Sequence, residues 1–165
     1  MTLEENKAII RSLIDAFNKH NVALLDDLMA PDFFDNNLQL RGLDNFKKFE
    51  TMFIKGFPDY SETIENIIAE GDKVCVYLKV TGTHTGDWNL FGTTLPPTGK
   101  KITYSVINIW RIVDGKVTER KSVRDMLGFL QQLGVVEYTE KACMHARGCF
   151  VTALTYLSAI HISTE

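Results

Sequence analysis

The first third of the chain repeats its apolar residues at helical intervals. Thr2 and Glu5 have the Thr-x-x-Glu spacing of a capping box, and the apolar residues behind them predict a first helix that ends near Asn21. Asn21 is placed to cap a second, shorter helix, which Pro31 terminates because proline disfavours a helical residue before it. Apolar residues at three- and four-residue spacing predict a third helix over residues 43–57, whose wide aromatic face is typical of core packing.

After residue 58 the apolar period shortens to two residues, which predicts strands. The predicted strands cover part of 32–40, then 60–69, 73–83, 101–113 and a last stretch ending at Asp125. Asp114-Gly115 is a strong hairpin signal that returns the chain into the last strand. Residues 87–100 predict a loop rich in glycine and proline, and a short helix over 126–133 closes the pattern.

Three helices, four long antiparallel strands and a closing helix indicate an α+β fold, with helices packed on one face of a curved sheet. If the helices cover the concave side incompletely, a cone-shaped cavity remains, lined by alternate strand residues. With 165 residues the chain has room for one domain, which we place at residues 1–136. Residues 137–165 show no clean period and are predicted to be a C-terminal extension of unknown role.

Composition excludes several classes of partner. The formal net charge is −3 and no run of Lys and Arg resembles a phosphate-binding face, which argues against nucleic acid. Three cysteines without C-x-x-C spacing indicate reduced thiols and no metal site. The N-terminus is acidic, which is not typical of a secretion signal. The longest stretch rich in apolar residues is too short to span a bilayer and contains too many polar residues. We therefore expect a cytoplasmic protein with no membrane partner.

Asp125 stands at the junction between the last strand and the closing helix, and two interpretations fit this position. As a helix N-cap, its carboxylate would accept a backbone hydrogen bond and contribute about 1 kcal/mol to stability without any chemistry. As a pocket acid or base, it would project into the cavity together with Val123, two residues earlier on the same strand face. Position alone leaves both open.

Several short motifs carry a resemblance to a known family. They are Gly82-Thr-His-Thr-Gly86, Pro97-Thr-Gly99, Trp110-Arg-Ile-Val-Asp-Gly-Lys116, Glu119-Arg120, Asp125 and Leu130-Gln-Gln-Leu-Gly134. Together they resemble the SnoaL-like polyketide cyclases, also called ester cyclases, of the nuclear-transport-factor-2-like superfamily, over about residues 4–136. The resemblance implies a cone-shaped, usually oligomeric α+β barrel and a cofactor-independent intramolecular aldol condensation of a polyketide ester. It also implies that the catalytic acid/base is Asp125.

Two positions depart from this resemblance. Asn36 stands where characterised cyclases often carry a pocket histidine, and Lys121 stands where many members have a tryptophan. Residues four apart on a strand are separated by roughly 13 Å, so Lys121 is expected to meet the far end of a ligand rather than Asp125. These departures motivate a second hypothesis, a non-catalytic carrier or sensor of a hydrophobic metabolite.

Aldol cyclisation needs a base, a group that stabilises the enolate and an acid for the new alkoxide. Carbon between two carbonyls is acidic enough for one carboxylate in a dry pocket, so neither a metal nor a cofactor is expected. Asp125 is the predicted catalytic residue. The predicted substrate-binding residues are Asn36, His84, Trp88, Tyr104, Asn108, Trp110 and Lys121. The amides and the phenol are candidate oxyanion donors, and Trp88 with Phe91 is a candidate lid.

Each of these residues also has a structural interpretation. Trp88 could instead lie in a subunit interface, and His84 could close its strand by hydrogen bonding. Ile107 and Ile109 fall on the outer face of their strand, which an ordinary solvent-facing strand would not expose together. We therefore expect a homodimer or homotetramer that binds a small, hydrophobic, carbonyl-containing ligand.

Overall fold

The structure is a computed structural model that describes residues 1–90 and 92–136. Its helices are α1 (Leu3–Asn18), a 3₁₀ turn (Val22–Leu24), α2 (Leu25–Leu28), α3 (Leu43–Gly56) and α4 (Met126–Leu133). Its strands are β1 (Met29–Asp35), β2 (Leu40–Arg41), β3 (Ser61–Glu70), β4 (Lys73–Thr83), β5 (Trp88–Leu90), β6 (Thr93–Leu95), β7 (Lys101–Val113) and β8 (Lys116–Arg124). No helix in these two ranges is long and apolar enough to cross a membrane.

This order of elements confirms the α+β prediction. Six strands form one curved sheet in the order β2-β1-β8-β7-β4-β3, and β5 pairs with β6 separately. Neighbours in the large sheet are antiparallel, except that β1 runs parallel to β8. Helix α1 packs on β3 and β4, and α3 packs on β1. The helices up to α3 and all strands lie in one compact unit, Met1–Asp125, and α4 belongs to a second.

The N-terminal caps follow the sequence signals. Thr2 Oγ1 accepts a hydrogen bond from the Glu5 amide at 3.2 Å, and Glu5 Oε2 accepts one from the Thr2 amide at 2.7 Å, so the capping box is confirmed. Asn21 Oδ1 accepts a hydrogen bond from the Ala23 amide and caps the 3₁₀ turn. The predicted end of the second helix is wrong, because β1 begins at Met29 and contains Pro31. Pro31 lies where the pairing of β1 with β8 shifts register, so its missing N–H removes no ladder bond.

The core lies between the helices and the inner face of β4 and β7. The buried side chains of these strands include Val74, Val76, Leu78, Val80, Ile102, Tyr104, Val106, Asn108, Trp110 and Ile112, as strand alternation predicts. The Phe46 ring of α3 lies 4.9 Å from the Phe33 ring and 6.3 Å from the Phe17 ring, measured between centroids. Core packing by the aromatic face of α3 is therefore confirmed at Phe46.

A bulge in β8 changes which of its residues face inward. Ile112 of β7 pairs with Val117 and Arg111 pairs with Glu119, so Thr118 is an extra residue on β8. Beyond the bulge Arg120 and Ser122 are buried, and Val123 is 73% exposed. The prediction that Val123 points into the cavity is wrong for this reason, since one extra residue moves every later side chain to the other face.

The later part of the chain follows the sequence signals only in part. The loop predicted over residues 87–100 contains the β5–β6 hairpin, so that prediction is wrong in part. Helix α4, Met126–Leu133, is present as predicted, and Gly134 follows it with a φ of 75°. The proposed extension at 137–165 and Phe91 lie outside the described residues.

Candidate functional site

A small polar cavity lies between α3 and the inner face of β3, β7 and β8. Its lining residues are Phe49, Glu50, Phe53, Tyr60, Glu62, Tyr104, Val106, Asn108, Arg120 and Arg124. Its volume is about 40 Å³, which suits a water molecule or the reacting part of a larger molecule. Every residue of this polar cavity belongs to the Met1–Asp125 unit. Two carboxyl groups, two guanidinium groups and two phenols therefore meet in an interior space.

Arg120 is fixed at one wall by a buried ion pair. Its Nε donates to Asp35 Oδ2 at 2.6 Å, and its Nη2 lies 2.5 Å from the same oxygen. Asp35 is fully buried, and its Oδ1 accepts hydrogen bonds from the amides of Asn37 at 2.9 Å and Leu38 at 2.8 Å. Because these partners all belong to the chain, the protein itself sets the position of the guanidinium.

Aromatic rings enclose the same guanidinium. The Arg120 Cζ lies 4.7 Å from the centroid of Phe46 and 5.2 Å from that of Trp110, within the range of a cation–π contact. Its Nη1 lies 4.0 Å from Glu50 Oε1, at the limit of an ion pair. Glu50 is buried on α3, and this burial raises its pKa against the opposing charges of Arg120 and Arg124.

Glu62 is the second carboxyl group of the polar cavity and is less well paired. Burial raises the pKa of Glu62 to about 7, with the nearby charge of Glu50 adding to the effect. Its Oε2 is buried and accepts no hydrogen bond from any described residue. Asn108, which is 4% exposed, likewise has an Oδ1 without a hydrogen-bond partner in the described ranges. Two buried acceptors that face one cavity leave room for donors from a ligand.

The remaining polar groups are donors. Arg124 Nη2 donates to Ser122 Oγ at 3.1 Å, and burial lowers the pKa of this guanidinium from its usual high value. Tyr60 donates its hydroxyl to the Phe17 carbonyl at 3.3 Å. Burial raises the pKa of both Tyr60 and Tyr104, so both phenols keep their protons at neutral pH. The polar cavity can therefore accept a proton at a carboxylate and stabilise a developing negative charge on oxygen.

The structure brings only some of the predicted site residues together. Tyr104 and Asn108 line the polar cavity. Trp110 is fully buried behind it and touches the Arg120 guanidinium, so it supports the wall. Within residues 1–90 and 92–136, no group of three or more His, Cys, Asp or Glu side chains is placed to hold a metal ion.

Asn36 and Lys121 lie elsewhere, on the outer face of the sheet. They line a shallow groove of about 290 Å³, the outer groove, whose described lining residues are Asn36, Asn37, Ile107, Ile109, Lys121, Ser122 and Val123. Asn36 Nδ2 donates to Glu119 Oε1 at 2.6 Å and to the Arg120 carbonyl at 3.2 Å. These bonds fasten the end of β1 to β8, which is a structural use of the amide.

His84 closes the end of its strand. Its ring is fully buried, stacks on Phe57 at 4.9 Å between centroids, and accepts a hydrogen bond at Nδ1 from the Thr98 amide at 3.3 Å. Burial lowers the pKa of His84, which keeps the ring neutral. In the same motif Gly86 lies so close to α3 that a Cβ atom would stand 2.0 Å from the Lys55 carbonyl oxygen. This packing explains why the Thr-His-Thr-Gly sequence ends in glycine.

Trp88 lies beside α3 and is 7% exposed. Its ring centroid is 6.2 Å from that of Phe53 and 5.7 Å from that of Phe57, both edge to face. Phe53 is a lining residue of the polar cavity, so Trp88 supports the cavity from behind.

Asp125 is the first residue after β8, and its side chain is exposed. Its amide donates to the Ser105 carbonyl at 3.3 Å, which continues the pairing of the strand by one residue. Asp125 is not among the described lining residues of the polar cavity, although its neighbour Arg124 is. Its role as an acid or base stays a prediction.

Sequence reasoning missed Glu50, Glu62, Arg120 and Arg124. One signal was present on α3, where Glu50 sits four residues after Phe46 and three before Phe53 and so interrupts an apolar face. A second was present on β3, where Glu62 shares the face of Ile64. The two arginines gave no such signal. The bulge at Thr118 turns Arg120 and Arg124 to the face opposite the one that alternation from Val117 predicts.

The chain matches a known family over most of its length. The family described as SnoaL-like polyketide cyclase matches residues 7–133. The chain belongs to the SnoaL-like polyketide cyclase family. Its relatives include aklanonic acid methyl ester cyclase DauD of Streptomyces sp. (strain C5), 31% identical over 132 residues, covering 76% of this chain and 80% of that protein. Aklanonic acid methyl ester cyclase DnrD of Streptomyces peucetius is also 31% identical over 132 residues, covering 76% and 88%.

Among solved structures, TsrD from Streptomyces laurentii has a similar fold. It superposes with a TM-score of 0.73 at 23% identity, covering 81% of this chain and 98% of that one, and at this identity the likeness concerns the fold. The SnoaL-like match includes every lining residue of the polar cavity. The cavity is therefore part of the family domain.

Proposed function

We propose that this SnoaL-like protein is an enzyme that closes a ring of a small, carbonyl-rich polyketide ester by intramolecular aldol addition. The observation that carries the proposal is the polar cavity, where Glu62, with a pKa raised to about 7, shares an interior space with Arg120 and Arg124. A carboxyl group that titrates near neutral pH suits proton transfer to and from carbon. Guanidinium groups held nearby suit the negative charge that develops on oxygen.

The substrate class comes from the relatives. Two of them are named as cyclases of aklanonic acid methyl ester, which supports a polyketide methyl ester as the substrate here. In such a reaction a carboxylate removes a proton from the carbon between two carbonyls. The resulting enolate carbon attacks a ketone of the same molecule, and the new alkoxide takes up a proton. The product is an isomer of the substrate, so the reaction consumes no cofactor.

The size of the polar cavity sets a condition on binding. Its volume of about 40 Å³ is far below the 300–1,000 Å³ or so of pockets that enclose a drug-sized ligand. Phe49 and Phe53 are its partly exposed lining residues on α3. This cavity can therefore hold only the reacting carbons of a polyketide substrate, and the rest of the molecule lies outside it.

Two carboxyl groups are candidates for the acid/base. The family resemblance assigns this role to Asp125, which follows the cavity residue Arg124 directly in the chain. The side chain of Asp125 is exposed. Glu62 is the candidate that lines the cavity itself.

The experiment is turnover of aklanonic acid methyl ester by the purified protein, followed by liquid chromatography with mass detection. Ring closure appears as a new peak of unchanged mass. Arg124→Gln removes a cavity guanidinium and should lower turnover by about 10²–10³. Arg111→Gln is the matched control, because Arg111 pairs with Asp72 at the surface and should leave turnover unchanged. Tight binding without conversion would identify a carrier and overturn the proposal.

A further inference from the structure

We propose that Glu62 is the base of this reaction, a catalytic residue that touches the reacting carbon. Arg124 and Tyr104 stabilise the negative charge on the enolate oxygen. The inference rests on the proposed function. It assigns the proton transfer to a residue of the edge strand β3 rather than to Asp125 at the end of β8. It follows from how each carboxyl group near the polar cavity is paired.

A base needs a lone pair that no other group already occupies. Asp35 is saturated, because its two oxygens bind Arg120 and the amides of Asn37 and Leu38. Glu50 Oε1 has the Arg120 guanidinium at 4.0 Å. Glu62 Oε2 is buried, faces the polar cavity and accepts no hydrogen bond from the described residues. Among the described carboxyl groups that line the cavity, Glu62 therefore has a buried oxygen without any hydrogen bond, whereas Glu50 has the stronger contact with Arg120.

The backbone of Glu62 is held firmly while its carboxyl group is not. Asn18 Oδ1 accepts a hydrogen bond from the Glu62 amide at 2.7 Å, and Asn18 Nδ2 donates to the Glu62 carbonyl at 2.9 Å. A fixed backbone beneath an unpaired carboxyl group is what a positioned base requires, because reactivity depends on placement to within about 0.5 Å.

Asn108 supplies a second unpaired acceptor in the same cavity. Its side chain is 4% exposed, yet its Oδ1 has no hydrogen-bond donor among the described residues. An unpaired buried amide oxygen is costly unless an ordered water or a bound molecule donates to it. The amide was predicted as an oxyanion donor, but its unpaired atom is an acceptor, so it suits a hydroxyl or enol of the substrate beside the carbonyl.

The charges around Glu62 suit a base at neutral pH. The titratable groups that share the cavity are Glu50 on α3, Tyr60 before β3, Tyr104 on β7, and Arg120 and Arg124 on β8. Burial and the Glu50 charge raise the Glu62 pKa, and the two arginines oppose them, which leaves the value at about 7. Glu62 is then substantially ionised at neutral pH and still basic enough to remove a proton from a carbon flanked by carbonyls.

The step balances within one molecule. The Glu62 carboxylate takes the proton, and the electron pair of the broken C–H bond passes into the enolate. The enolate carbon forms the new C–C bond with the ketone carbon, whose π pair moves to oxygen. The alkoxide then takes the proton back from the Glu62 carboxylic acid. No oxidant, reductant or second substrate is required.

The test compares kcat for aklanonic acid methyl ester in the wild type and in variants whose folding is verified by circular dichroism. Glu62→Gln keeps the shape, removes the base and should lower kcat by about 10²–10⁴. Glu65→Gln is the matched control, since Glu65 is an exposed residue of the same strand and should keep the wild-type kcat. Glu62→Asp should recover part of the lost rate because it restores a carboxylate.

The pH profile separates a base from a merely structural residue. Wild-type kcat should rise with pH to a plateau above about pH 7, Glu62→Asp should keep a rising limb, and the residual rate of Glu62→Gln should lack it. Wild-type turnover with an unchanged rate in Glu62→Gln overturns the role of Glu62 alone. A larger loss in Asp125→Asn than in Glu62→Gln also overturns it and assigns the base to Asp125. Absence of wild-type turnover overturns the proposed function and this inference together.

Discussion

The side chain of Asn18 binds both backbone groups of Glu62, with its Oδ1 2.7 Å from the Glu62 amide and its Nδ2 2.9 Å from the Glu62 carbonyl. β3 is an edge strand of the sheet order, so its outer backbone groups have no neighbouring strand. Asn18, the last residue of α1, supplies the two hydrogen bonds that a strand would have made. Helix α1 thereby fixes one wall of the polar cavity.

We expect Asn18→Ala to loosen this wall. The Glu62 amide should exchange its hydrogen faster by at least about tenfold, and the free energy of unfolding should fall by about 1–3 kcal/mol, because two hydrogen bonds are lost. Hydrogen exchange measured by NMR checks this. Asn45→Ala removes an exposed side-chain bond to the Arg41 carbonyl and serves as the control. Equal protection of Glu62 in both variants would contradict a positioning role for Asn18.

Strand alternation predicts the inner face of β7 correctly and that of β8 incorrectly, for a physical reason. The register of β7 with β4 is uninterrupted from Lys101 to Arg111, so a period of two suffices to place its side chains. β8 carries the bulge at Thr118, which exists only in its pairing with β7. The sequence of β8 alone therefore contains no signal for the inserted residue.

The buried charges were equally hard to predict. Arg120 is buried because Asp35 neutralises it, and the two residues are 85 positions apart in sequence. A charge on a predicted strand is normally solvated, and only its distant partner makes burial acceptable. The fold and the Tyr104–Asn108 wall could therefore be predicted from the sequence, while the charged half of the polar cavity could not.

Glu62 should make stability depend on pH in a defined direction. Its pKa is raised from 4.5 to about 7 in the folded state, so the folded protein retains this proton where the unfolded chain has lost it. The contribution of Glu62 to stability is therefore fully present below about pH 4.5 and is lost as pH rises through about 7. Glu62→Gln avoids this loss, because an amide is neutral at every pH.

We expect Glu62→Gln to gain stability relative to the wild type as the pH rises. The difference in unfolding free energy between the two proteins should be about 1–3 kcal/mol larger at pH 8 than at pH 4.5, since one pKa unit corresponds to about 1.4 kcal/mol. Urea unfolding of both proteins at the two pH values measures this. Comparison with Glu65→Gln on the same strand removes the effects of other carboxyl groups. A difference that does not change with pH would mean that Glu62 titrates near its ordinary value.

The Asp35–Arg120 pair should be far more important for stability than the Asp72–Arg111 pair. Asp35 is fully buried, and its loss leaves the Arg120 guanidinium uncompensated in the interior. We expect Asp35→Asn to lower the free energy of unfolding by about 3–5 kcal/mol. Asp72→Asn breaks a pair whose side chains are 42% and 50% exposed and should cost about 0–1 kcal/mol. Urea titrations of both variants give the comparison, and equal costs would contradict it.

The outer groove is expected to be the oligomer interface. Ile107 is 43% exposed and pairs across the strands with Tyr77, 38% exposed, and with Val123, 73% exposed, so these three side chains form one continuous apolar strip. We expect a dimer or tetramer at micromolar concentration and a monomer in Ile107→Lys, because a symmetric contact would bury two added lysine charges, one from each subunit, and this is costly. Light scattering measures both masses. Leu3→Lys, which changes a leucine of helix α1 that is 45% exposed, should keep the wild-type mass. A monomeric wild type would mean that the strip has another use, and dissociation by both lysine variants would mean that the effect is one of added charge rather than of this surface.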